Sequence, residues 1–90
     1  MRALPSGVRA YKKTPVFTQD TVPAGLLKDH ATKDGIWGVI HVLSGELQLI
    51  YADGDDVHDL RPGMPGIIEP AEPHHVTPIG AVEFYVEFHR

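Results

Sequence analysis

The sequence predicts a single all-β domain over residues 1–90, and three observations predict it. Eight prolines and nine glycines cut the chain into short segments. Several of those segments alternate apolar and polar residues with the period of two that a half-buried strand requires. Turn signals recur at intervals of about 8–12 residues, the spacing of a sandwich or small barrel of roughly seven or eight short strands. Ninety residues are too few for two independent cores, and a hydrophobic fraction of 42% is enough for one.

"VRAYKKTPVF" reads as extended, with Thr14-Pro15 biasing the chain away from helix. "TVPAGLLKDHATKDG" mixes turn residues with a short apolar patch and holds one helical turn at most. "IWGVIHVL" (Ile36–Leu43) is apolar on both faces, as a buried central strand is. "SGE" (Ser44–Glu46) then reads as a turn into "LQLIYA", where Leu47, Leu49 and Tyr51 alternate with Glu46, Gln48 and Ile50. "DGDD" (Asp53–Asp56) is a strong hairpin turn, and "VHDL" after it is a short edge strand. "RPGMPG" reads as a further turn, "IIEP" as the approach to the His74-His75 pair, and "PIGA" (Pro78–Ala81) as the last turn. In the final strand Val82, Phe84, Val86 and Phe88 share one face, and Glu83, Tyr85, Glu87 and His89 the other. Alternation alone does not say which face is inside.

Composition narrows the function classes. A net charge of −4 argues against nucleic-acid binding, because no basic stripe is present to neutralise phosphates. Arg9, Lys12 and Lys13 alone cluster, and they read as a solvated face. The absence of cysteine removes disulfides, thiolate zinc sites and cysteine nucleophiles. Ser44 and Ser6 have no evident base for serine catalysis. "MRALPSGVRAY" lacks the apolar centre of a signal peptide, and no apolar run nears a membrane span. The expectation is a cytoplasmic protein with no membrane partner, and a homodimer, since so small a core gains from burying more apolar surface.

Two stretches, "LPSGVRAYKKTPVFTQDTVPAGLLKDHATKDGIWGVIHVLSGEL" and "PGMPGIIEPAEPHHV…FYVEFHR", resemble the TehB/YeaR-like family, most specifically in "TPVF", "TVPAGLL", "HATKDG", "VLSGEL", "EPAEPHHV" and "VEFHR". The resemblance implies a cupin-like barrel (a double-stranded β-helix, or jelly roll) and an association with tellurite resistance. Relatives of this kind occur alone or ahead of a methyltransferase. These ninety residues contain no methyltransferase glycine motif, so no nucleotide-type cofactor is expected.

Metal-binding cupins resemble one another in two motifs, and only the second is intact here. In the first, Gly45 is the turn glycine and His30 lies about one residue early. The second histidine position reads Thr32, and the carboxylate position falls near Trp37 or Gly38. The second motif, "RPGMPGIIEPAEPH", ends on His74. Adjacent strand residues face opposite ways, so His74 is expected to point inward and His75 outward. With Glu87 as third ligand, His30 and His74 would form a two-histidine, one-carboxylate site for a divalent metal such as Fe, Zn, Mn or Ni. Glu69 and His41 are the reserves. Each residue also has a plain structural reading: His30 as a solvated or turn-bonding histidine, His74 as a ring bonding a backbone carbonyl, and Glu87 as a partner of Arg90 or Lys33. Trp37 reads as packing and His58 as surface.

Three functions compete. The first is a binding module for a metal, small anion or metalloid, with Lys33 steering an anionic ligand. The second is a metal-dependent dioxygenase or isomerase with Tyr85 or His41 as acid–base candidates. The third is a structural dimerisation domain built on the Val82–Phe88 face.

Overall fold

Two long strands carry the fold. The computed structural model describes residues 3–52 and 57–90; the expected turn at Asp53–Asp56 lies outside the described residues. In chain order the strands are β1 (Ala10–Lys13), β2 (Phe17–Thr18), β3 (Trp37–Tyr51), β4 (Val57–Leu60), β5 (Gly66–Ile68) and β6 (His74–His89). A 3-10 turn, Ala24–Leu27, precedes β3. All pairings are antiparallel. The path is β1-β6-β3-β4, with β2 added to β6 and β5 to β3.

The expected seven or eight short strands are therefore six among the described residues, because two expected turns are strand. Ser44–Glu46 lies within the 15 residues of β3, and Pro78–Ala81 within the 16 of β6. β3 and β6 pair from Trp37↔His89 to Tyr51↔His74, with register irregularities between Val42 and Ser44 and between Gly45 and Glu46. A bulge bends a strand without ending it. Gly45 makes this bend possible: its φ is +80°, and a Cβ there would lie 2.1 Å from the Ala81 carbonyl oxygen. The irregularity also switches which residues of β3 face the core. Ile40 and Val42 point inward before it, and Leu47, Leu49 and Tyr51 after it. β6 keeps the same parity on both sides, with Val76, Val82, Phe84 and Val86 in the same cluster.

The bend brings the two halves of the sheet around one core. Leu47, Tyr51 and Phe84 have no exposed surface. Tyr51, at the end of β3, donates its hydroxyl to the carbonyl of Ile67, and Ile67 pairs with Val39 near the start of the same strand. Phe17 of β2 meets Phe84 edge-on, with ring centroids 5.8 Å apart, a favoured aromatic geometry. Of the Val82–Phe88 row, Val82, Phe84 and Val86 are buried in this core and Phe88 packs against it partly buried.

The sheet is not closed into the expected barrel. β1 and β4 end the path and do not pair with each other among the described residues. The segment between the 3-10 turn and β3 is bridged to the start of β6. His30 and His74 exchange both backbone hydrogen bonds, 2.9 and 2.8 Å, and Ala71 N–H donates to the Thr32 carbonyl at 3.1 Å. Among the described residues, no helix is long and apolar enough to cross a membrane.

Candidate functional site

A cavity of about 590 Å³ lies between this segment and the inner face of β6 and β3. Its walls are apolar: Ile40, Ile68, Val76, Phe84, Val86 and Phe88 from the sheet, with Phe17, Pro23, Leu26 and Ile36 from the preceding segments. The period-2 alternation of β6 directs its row into the cavity and sends the intervening residues to the other face.

The ionisable groups lining the cavity are all basic or neutral. Lys12, Lys33 and Arg90 reach it with His30, His74 and Tyr11, and among the described residues no Asp or Glu lines it. Lys12 is brought there by β1, where it sits opposite Phe88 and so shares its face. Arg90 lies over the Tyr11 ring, 4.0 Å from the centroid, a cation–π contact. Neither Lys12 nor Lys33 takes part in an ion pair among the described residues, whose pairs are His41–Glu87, His75–Asp29 and His89–Glu87.

His74 and His30 form one wall. His74 is 1% exposed, and its ring lies 4.3 Å from that of His30, centroid to centroid. His74 Nδ1–H donates to the Glu72 carbonyl at 2.8 Å, and His30 Nδ1–H to the Lys28 carbonyl at 2.9 Å. Each bond fixes the tautomer and leaves Nε2 as the ring nitrogen able to accept a hydrogen bond. The carbonyl-bonding role expected of a structural histidine is thus filled by one nitrogen of each ring. Burial, the largest effect, holds His74 below the ordinary histidine pKa; the Glu72 carbonyl opposes this and the neighbouring His30 reinforces it. His75 faces away, as the alternation requires, and bonds Asp29 at 2.8 Å.

Glu87 is not with them. It lies on the outer face of the sheet, where His89 Nε2 is 2.9 Å and His41 Nε2 3.4 Å from its Oε1. Its expected partners Arg90 and Lys33 are replaced by these two histidines. Desolvation works to raise the Glu87 carboxyl, but the bonds and charges of His89 and His41 outweigh it and hold it below the usual range. Of the reserves, His41 stacks on Tyr85 with centroids 4.9 Å apart, also on the outer face, and Glu69 does not line the cavity. Among the described residues no group of three or more His, Cys, Asp or Glu is arranged to hold a metal ion. The expected His30, His74, Glu87 triad is not assembled, because a residue alternating with the buried Val/Phe row cannot reach the cavity that row lines. The residues present do not fit a three-ligand divalent metal centre.

Lys12, Arg90 and Tyr11 were not read from the sequence as part of a site. Lys33 was, as a guide for an anionic ligand, and it lines the cavity.

Comparison with known proteins gives the lineage of this architecture. The crystal structure of TehB from Haemophilus influenzae superposes with a TM-score of 0.84 at 30% identity, over 93% of this chain and 32% of that one. A crystal structure of an E. coli K12 protein superposes over 100% of this chain and 97% of its own, with a TM-score of 0.90 at 21% identity; at that identity the likeness shows the fold alone. The H. influenzae protein described as a probable S-adenosyl-L-methionine-dependent methyltransferase, TehB, is 45% identical over 38 residues, which are 42% of this chain and 13% of that protein. This chain therefore spans only about a third of the TehB structure. The family description "TehB-like domain" matches residues 12–86, and the chain belongs to the TehB-like domain family.

Proposed function

We propose that this chain is a cupin-like ligand-binding domain whose pocket, on the inner face of the bent sheet, takes a small anion. The sign of the lining carries this reading. In a chain of net charge −4, the cavity gathers the cations Lys12, Lys33 and Arg90 beside the imidazoles His30 and His74, with no Asp or Glu side chain among the described residues that line it. Basic groups beside low-dielectric walls focus a positive potential on whatever enters. The two lysines have no carboxylate partner among the described residues to neutralise them. A metal site would need a third protein ligand beside the two imidazoles, and Glu87 is committed to His41 and His89 on the other face.

Tellurite, the oxyanion that the family resemblance points to, is one natural probe; phosphate and simple carboxylates are others. Amide NMR spectra of the labelled protein during titration with each anion test the reading. Saturable shifts confined to the cavity lining, lost in the Lys12→Glu/Lys33→Glu double variant, are expected. Shifts produced only by divalent cations, or no shifts at the lining with any anion, would overturn it.

A further inference from the structure

We propose that the ligand is a carboxylic acid with an apolar alkyl or aryl body, bound with its chain against the phenylalanine wall and its carboxylate among the basic groups. The inference rests on the anion-pocket reading and narrows it to a substrate class.

Size is the first argument. At about 590 Å³ the cavity falls in the middle of the range that holds organic ligands of drug-like dimensions. A bare tetrahedral oxyanion would leave most of it filled with water lying against Phe17, Phe84 and Phe88, surfaces that gain free energy when covered by hydrocarbon.

The second argument concerns what the lining can and cannot recognise. No Asn, Gln or Ser lines the cavity, and its two threonine hydroxyls are already occupied. Thr32 donates to the Ile36 carbonyl at 2.7 Å. Thr14 donates to the Pro15 carbonyl at 2.9 Å and accepts from Val86 N–H at 3.0 Å. A sugar, nucleotide or other polyhydroxylated anion presents several donors and acceptors that each need a partner once desolvated. This lining has few neutral groups to give. A ligand with one charged head and an apolar body makes no such demand.

The third argument is the division of the walls. The hydrocarbon surface comes mainly from the sheet, whereas the cations come from three separate stretches: Lys12 on β1, Lys33 beside His30, and Arg90 after β6. The imidazoles add two Nε2 atoms that accept from a protonated head or, once protonated, donate to an ionised one. The lining thus offers an amphiphile both kinds of partner, cations for its head and Phe and Ile side chains for its body.

Calorimetric titration of the ninety-residue chain with acetate, butyrate, hexanoate and octanoate tests the proposal, with inorganic phosphate, tellurite and octylamine as comparators. Affinity is expected to tighten about threefold to fourfold per methylene, so that octanoate exceeds butyrate on the order of a hundredfold. Octylamine is expected not to bind, and Lys33→Glu to weaken octanoate tenfold or more while circular dichroism stays unchanged. Because Lys33 is exposed, that variant keeps the core intact. Binding of phosphate or tellurite at least as tight as octanoate, with no dependence on chain length, would overturn the proposal and leave the anion pocket standing. Octylamine binding as well as octanoate, or no anion binding at all, would overturn both.

Discussion

His30 and His74 are joined twice: their backbones exchange hydrogen bonds of 2.9 and 2.8 Å, and their rings lie 4.3 Å apart. The backbone pair fixes the rings beside each other, and the two Nδ1 bonds to Lys28 and Glu72 carbonyls fix which nitrogen each presents. The segment that carries His30 is thereby held against the start of β6 as one wall of the cavity.

That arrangement has a pH consequence. Burial is the main cause that lowers the His74 pKa from its ordinary value of 6.5. The unfolded chain then binds more protons than the folded one in the interval between the two values. Stability is fully present above about pH 6.5 and falls as the pH drops through the folded value. Imidazole NMR should show His74 titrating below 6.5. Urea unfolding at a series of pH values should show a slope in this range that is shallower in His74→Gln.

The bend in β3 predicts an unequal pair of glycine variants. Gly80 has φ +70° with nothing within 4 Å of a built Cβ, so Gly80→Ala meets backbone strain alone, on the order of 1–2 kcal/mol. Gly45→Ala meets the same strain and, in addition, the Ala81 carbonyl. It should cost clearly more, as read from denaturant midpoints at unchanged m-value.

Phe84 tests how far the core depends on the central pairing. It is 0% exposed and lies where β2, β3 and β6 meet. Phe84→Ala should lower stability by about 3–5 kcal/mol, a large share of what a small domain possesses. Chemical denaturation measures it directly.

Glu87 separates the anion reading from a metal triad. Because it lies on the outer face with His41 and His89, Glu87→Gln should leave anion affinity within about twofold of the parent. Calorimetry on the parent and variant, with the same anion, makes the comparison.

The alternation of Val82–Phe88 and of Leu47–Tyr51 was legible in the sequence, as were the short strand at Val57–Leu60 and the opposite facing of His74 and His75. Each depends only on local periodicity. Ser44–Glu46 and Pro78–Ala81 carry turn chemistry in their residues yet lie within strands. Pairing along the whole of β3 and β6 absorbs that chemistry as an irregularity within continuous strands. The position of Glu87 was within reach: once the Val/Phe row is taken as core, its alternating neighbour has to lie outside. Of the basic lining only Lys33 was legible; Lys12 and Arg90 were not, because they are distant from it in sequence and reach the same cavity only through β1–β6 pairing.

The central claim, an anion site walled by His30 and His74, is tested most directly by long-range nitrogen NMR of the six imidazoles during anion titration. The account predicts saturable shifts at Nε2 of His30 and His74, with His41 and His89 on the outer face unmoved. Equal shifts at all six rings, or movement only at His41 and His89, would contradict it.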